Sequence, residues 1–222
     1  MHHSIFLVED ISGETTLKIV LNKIGLNTEQ YEIHSYRGIG KIPENLNKSD
    51  SNPKKRQLLT QLPKLLKGFS TRYQYLNHTI FVLCDLDKCC FKKFREELLE
   101  VAKKCDADQH TQFFLSVNEM EAWFLGDFNA IKKIYSRARR RKNYTESKLG
   151  CWETLADSIK KGWSKELKKQ KEKEGYSVIG KLKNQWATEI TPHLNIQMNS
   201  SPCFCYFRDK IQKIIQDDND NK

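Results

Sequence analysis

The stretch TIFVLCD, residues 79–85, is almost continuously apolar and stops at a carboxylate. A run this short, rich in β-branched and aromatic residues, reads as a strand covered on both faces, as in a parallel sheet flanked by helices. Three further runs read as strands: SIFLVE (4–9), which is β-rich and apolar, YEIHSY (31–36) and QFFLSV (112–117). A helical pattern follows each of them. After the first, Leu17, Val20, Leu21 and Ile24 recur at helical spacing and Gly25 suits a C-cap. After the second comes the irregular loop RGIGKIPENLNKSDSNPKK, then a helix expected over about 54–67, kinked or shortened by Pro63. FKKFREELLEVAKKC (91–105) places Phe94, Leu98, Val101 and Ala102 on one face, and NEMEAWFLGDFNAIKKIYSRARRR is expected to continue as helix after the fourth run. Strands alternating with helices imply parallel strands joined by right-handed crossovers, an α/β sandwich on a mainly parallel four-stranded sheet.

Beyond residue 128 the chain shows only short amphipathic helical segments, and its tail DDNDNK is expected to fray. The division expected is therefore a catalytic α/β domain over 1–127 and a basic helical extension, packed on it, over 128–222. The formal net charge is +10, and residues 128–190 carry 17 Lys and Arg against 7 Asp and Glu, which accounts for all of it. A positive field confined to one region usually faces a polyanion, most often nucleic acid. For KELKKQKEKE (165–174), where the signs are mixed, a solvated helix face is the better reading. Seven cysteines without a Cys-x-x-Cys pair argue for free thiols rather than a disulfide framework or zinc site. No apolar run is long enough to cross a bilayer and no leader pattern is visible, so a cytoplasmic protein is expected.

In open α/β sheets, ligands bind beyond the carboxyl ends of the strands. Here three of the four strands end in acids: Glu9 and Asp10, with Glu14 close behind; Asp85 and Asp87; Glu119 and Glu121. Carboxylates that converge repel one another unless a cation lies among them, and hard oxygen donors suit Mg²⁺ or Mn²⁺. The simpler reading, that acids at strand ends cap the following helices, is favoured for Asp10 and Ser12.

FLVEDISGET followed by FVLCDLD resembles the Toprim domain of topoisomerases, bacterial primases and overcoming-lysogenization-defect nucleases. NEMEAWFLGD (118–127) and SSPCFCYFRDKI further resemble small Toprim-like proteins of bacteria and phages that stand beside ABC-type ATPases and are implicated in phage defence. The resemblance covers residues 4–127 well and the remainder weakly. It implies that Glu9 is a general acid/base or a ligand, that Asp85 and Asp87 are the metal-binding pair, and that Glu119 or Glu121 completes a site for two ions. The reaction implied is metal-assisted phosphodiester hydrolysis, with Lys181 a candidate for the lysine that such nucleases use downstream of the acids. In this chain Asp10 stands where the family has Gly, and Glu14 lies five residues after Glu9 rather than four, which leaves the role of Glu14 open.

Arg137, Arg139, Arg140 and Arg141, whose planar guanidinium groups match phosphate oxygens, are candidates for holding the nucleic-acid backbone. Arg37 and Lys41 in RGIGK are candidates for the same role, against the plainer reading of a glycine turn. Trp123 and Phe124 are expected in the core rather than stacked on a base. GYSVIGKL (175–182) has the Gly-x-x-x-x-Gly-Lys spacing of a phosphate loop but lacks the following Ser or Thr and a preceding strand, so nucleotide binding there is not expected. The alternative to a nuclease is a non-catalytic subunit that keeps the fold and docks on nucleic acid or an ATPase. A receiver-like phosphoacceptor also clusters acids at strand ends, but it needs a lysine after a later strand that SVNEMEAW does not offer.

Overall fold

The continuity of the apolar runs follows from the sheet they build. The structure, a computed structural model, describes residues 2–46, 56–85, 90–116, 119–141 and 150–220. Strands β1 (His3–Val8), β2 (Tyr31–Ser35), β3 (His78–Asp85) and β4 (Thr111–Ser116) form one all-parallel sheet in the order β2-β1-β3-β4. Successive side chains leave a strand on opposite faces. Phe6, Val8, Phe81 and Leu83 therefore enter one layer, and Ile5, Leu7, Ile80, Val82 and Cys84 enter the other, all of them buried. Helix α1 (Ile11–Ile24) covers the first face; α2 (Leu58–Arg72) and α3 (Phe91–Lys104) cover the second. Phe6 and Phe81 are register partners and stack at 4.8 Å between ring centroids. Truncating either to Ala would cost about 3–5 kcal/mol.

Strand order decides where a ligand fits. From β1 the chain moves to one side, through α1 on the first face, to reach β2; it then returns past β1, through α2 on the opposite face, to β3. The connections leaving the carboxyl ends of the adjacent strands β1 and β3 thus diverge to opposite faces and open a crevice between them. Glu9 and Asp85 stand on its two sides.

Local chemistry sets the helix ends. Asp10 is extended (φ −149°) and its carboxylate accepts the Gly13 amide at 2.9 Å and the Ser12 hydroxyl at 2.7 Å, capping α1 as expected for this pair. Helix α2 begins later than its sequence pattern predicts and runs five residues further, with Pro63 inside it, buried among Leu59, Leu62 and Leu66. The packing of these leucines offsets the missing proline N–H.

The helix expected from 118 into the arginine stretch is instead two short ones, α4 (Glu121–Gly126) and α5 (Phe128–Ile134). Asp127 breaks them: its side chain caps α5 through the Ala130 amide at 3.3 Å and accepts the distant Asn195 amide at 2.7 Å. Gly126 permits the close approach of the segment before the last helix, since a Cβ there would lie 2.2 Å from Asn199 Oδ1 and 2.7 Å from the Ser201 amide nitrogen.

The remaining helices are α6 (Cys151–Ile159), α7 (Trp163–Glu174), α8 (Ser177–Ile190) and α9 (Pro202–Asp220). Helix α9 includes Asp217 to Asp220, which the sequence suggests would fray; Asp218 accepts the His2 amide at 2.8 Å, tying this turn to β1. The Gly-x-x-x-x-Gly-Lys spacing falls in the turn after α7 and the first turns of α8, with a helix rather than a strand before it. Trp152, Trp186 and Phe207 share one core with Phe6 and Leu17, so the basic helices and the first face of the sheet bury each other. Among the described residues no helix is long and apolar enough to cross a membrane.

Candidate functional site

Helix α8 lays an apolar stripe of Ile179, Trp186, Ala187 and Ile190 against α1 and α7. Lys183 occupies a position within that stripe and is only 5% exposed. Thr15 of α1 donates to Asn184 Oδ1 at 2.8 Å, which fixes the helix in this position. The Lys183 ammonium reaches Glu119 Oε1 at 3.0 Å and Glu121 Oε2 at 3.3 Å. Only the first contact has hydrogen-bond geometry: Glu121 Oε2 accepts no hydrogen bond, although it lies within ion-pair distance. Glu119 is held a second time, its Oε2 accepting the Trp152 amide in the first turn of α6 at 3.0 Å.

These groups perturb one another strongly. Burial pushes the Asp85 carboxyl well above the usual carboxylate range; the charge of Glu9 pushes it further and Lys183 pulls against both. Glu121, 1% exposed, is raised by burial to about 7 despite the opposing pull of Lys183. Burial alone would lower Lys183, but the charges of Glu121, Glu119 and Asp85 overcome it and hold the ammonium protonated well above its ordinary value. The result is one buried cation serving three carboxylates, with Glu9 beside them. Such clustered, mutually shifted groups in a crevice at a sheet's topological switch point make this the candidate functional site.

The structure brings Glu9, Asp85 and Glu121 to the lining of one cavity, with Lys183 and the capping Asp10, and joins Glu119 to them through Lys183. Glu14 is not among them: its carboxylate is taken by Lys18 at 2.6 Å and by the Ser35 hydroxyl at the end of β2. Desolvation raises its affinity for the proton, but these two bonds outweigh it and hold Glu14 below its ordinary value. Lys181 is exposed, and Lys183 stands in the site instead. Two residues along a helix is a rotation of about 200°, which carries one lysine to solvent and the other into the core. The signal that could have found Lys183 is its place in an otherwise apolar stripe, four residues after Ile179 and four before Ala187. Asp87 lies outside the described residues. Among the described residues no group of three or more His, Cys, Asp or Glu side chains has a ready metal-holding arrangement.

The candidate phosphate contacts divide into two places. Arg37 and Lys41 are exposed, on a loop fastened to the carboxylate edge by the Gly38 amide donating to the Glu9 carbonyl at 3.0 Å. Arg137, Arg139, Arg140 and Arg141 are exposed beside the far end of α6. Arg141 pairs with Asp157 at 2.7 Å and Arg140 lies over the Phe128 ring at 5.4 Å. Trp123 and Phe124 are core residues, as expected, packed among Phe204 and Phe207.

Residues 8–213 match the family described as a domain of unknown function, DUF4276. The chain belongs to that family. The match begins at the end of β1 and closes within α9, so the sheet edge, the buried lysine and the C-terminal helices all lie inside the DUF4276 unit. Comparison of this DUF4276 chain with curated proteins and with solved structures gave no match.

Proposed function

We propose that this DUF4276 protein is a Toprim-like, Mg²⁺- or Mn²⁺-dependent nuclease of the cytoplasm that hydrolyses phosphodiester bonds in nucleic acid and works with an ABC-type ATPase in phage defence. The observation that carries the reading is the meeting of Glu9, Asp85, Glu121 and Lys183 in one cavity, Glu9 and Asp85 on the two sides of the switch point. The donor chemistry fits a hard divalent ion at Glu9 and Asp85: both are carboxylates, and the Asp85 proton affinity is raised by Glu9, the repulsion a bound cation relieves. A divalent ion held there supplies an acidified water and charge stabilisation at the phosphate.

The chain's own residues do the rest. Lys183, protonated and desolvated, directs positive charge into the cavity where an oxyanion develops, and needs no reorganisation because Glu119 and Glu121 already fix it. Glu121, raised to about 7, is suited to pass a proton near neutrality. Arg37 and Lys41 at the same edge, and the arginines at 137 and 139–141, hold the strand's phosphates; the local excess of ten positive charges supports this.

A second reading has its own support: Lys183 already balances Glu119 and Glu121, as an acidic edge without metal requires, which suits a non-catalytic subunit that docks on nucleic acid or an ATPase. Calorimetric titration of Mg²⁺ and Mn²⁺ into the wild type and the Glu9→Gln/Asp85→Asn variant separates the two, followed by incubation with plasmid, single-stranded DNA and total RNA. Metal binding and cleavage lost together in the variant support the nuclease. Cleavage that persists in the variant refutes the site, and absence of metal binding in the wild type favours the docking subunit.

A further inference from the structure

The carboxylates and Lys183 form one wall of a cavity of about 410 Å³ whose other walls are aromatic and aliphatic. That volume sits within the roughly 300–1,000 Å³ of small-molecule pockets, large enough for a planar ring and its sugar and far too small for a duplex. Two of the lining rings are not core residues: Phe91, at the start of α3, is 45% exposed and Tyr206, on α9, is 58% exposed. Tyr206 stands 5.5 Å from Phe114, ring centre to ring centre, and behind Phe114 lie the buried Phe207 and Trp123. Cations accompany the exposed rings: Arg95, one turn after Phe91, lines the cavity, and the Lys210 ammonium lies 5.8 Å from the Tyr206 ring centre.

Resting on the nuclease reading above, we propose that this cavity takes one unstacked nucleobase, so that the strand to be cut must be single-stranded or locally unpaired. Stacking on aromatic side chains is how proteins hold single strands irrespective of sequence. A duplex keeps its bases inside the helix, and a base reaches such a pocket only by leaving the stack.

The test is fluorescence anisotropy at fixed salt, with EDTA present so that binding is read without cleavage. Labelled short oligodeoxynucleotides and oligoribonucleotides are compared with an abasic strand of equal length and a blunt duplex, on wild type, Tyr206→Phe, and Phe91→Ala/Tyr206→Ala. Wild type is expected to bind base-bearing single strands about tenfold or more tightly than the abasic strand or the duplex. The double variant should lose that difference and Tyr206→Phe should keep it; the better of the ribose and deoxyribose strands names the substrate. Equal affinity for abasic and base-bearing strands in the wild type, which needs no variant to fold, overturns the proposal. Cleavage of duplex with base-independent binding would sink the pocket and leave the nuclease standing, whereas base-dependent binding with no cleavage in Mg²⁺ or Mn²⁺ would sink the nuclease and leave the pocket standing.

Discussion

Replacing Lys183 with Met keeps the length and packing of the side chain and removes its charge. Two carboxylates, 3.0 and 3.3 Å from the ammonium, then lose their counter-ion, and one of them, Glu121, is 1% exposed. Removing one partner of a buried pair costs about 3–5 kcal/mol. The alternative open to the variant is to protonate Glu121, whose main downward pull is Lys183 itself. Holding that proton at pH 8, where the wild type would already have released it at about 7, costs the variant about 1.36 × (8 − 7), or roughly 1 kcal/mol. The loss at pH 8 therefore runs from about 1 kcal/mol, if Glu121 takes up the proton, to about 3–5 kcal/mol, if it stays ionised without its counter-ion. The sign of the pH dependence is then fixed. In the wild type, folded Glu121 is ionised above about 7, while in the variant it stays protonated, so the variant's deficit grows by about 1.4 kcal/mol per unit of pH above 7 and levels off below it. Urea unfolding followed by tryptophan fluorescence at pH 6.0, 7.0 and 8.0 measures this. A loss below about 1 kcal/mol at pH 8, or one equal at all three values, would refute the buried ion triad.

Two further predictions concern the scaffold. Gly126→Ala puts a methyl group 2.2 Å from Asn199 Oδ1 and 2.7 Å from the Ser201 backbone, and should lower stability by about 1–3 kcal/mol through displacement of the segment leading into α9; a urea midpoint unchanged from wild type would contradict the packing. His2 and His3 are both lowered from 6.5 chiefly by burial, against Asn77 and Asp218 at His2 and Glu32 at His3, and with help from His78 at both and from Arg72 at His3. Their stabilising contribution is present above 6.5 and is lost as pH falls below it, by up to about 1 kcal/mol per unit for His2 and less for the more exposed His3. The His2→Gln/His3→Gln variant should show a flatter stability profile between pH 7 and pH 5, and an unchanged slope would show that these rings do not govern it.

What was legible in the sequence was whatever rests on local pattern. The apolar runs of β1 and β3 are strands with both faces covered, which leaves them almost no exposed position, and α1 is bounded where Asp10 and Gly25 demand. Glu9 and Asp85 could be placed on one edge because strand ends carry their side chains with them. Features fixed by long-range contact were not legible. Asp127 ends a helix that periodicity alone would prolong, because it answers the amide of Asn195, 68 residues away. The site lysine is 183 rather than 181 because burial against α1 and α7 selects one face of α8, and charge counting sees two equivalent lysines. Glu14 follows Glu9 closely in sequence, yet the helix turns it towards Lys18 and Ser35.

Phe207 closes the face of the sheet that Phe6 and Phe81 present, and Lys183 enters the site from α8. During synthesis, therefore, a nascent chain that has extruded all four strands still carries one apolar face covered by α1 alone and an acidic edge without its buried cation. Contacts of such sequence separation form late, and exposed apolar surface on a partly made domain is where chaperones bind and aggregation begins. The same order of events means that the cavity gains Lys183 and Tyr206 only once α8 and α9 have been made and have docked, so whatever the pocket does is withheld from the ribosome's own surroundings until then.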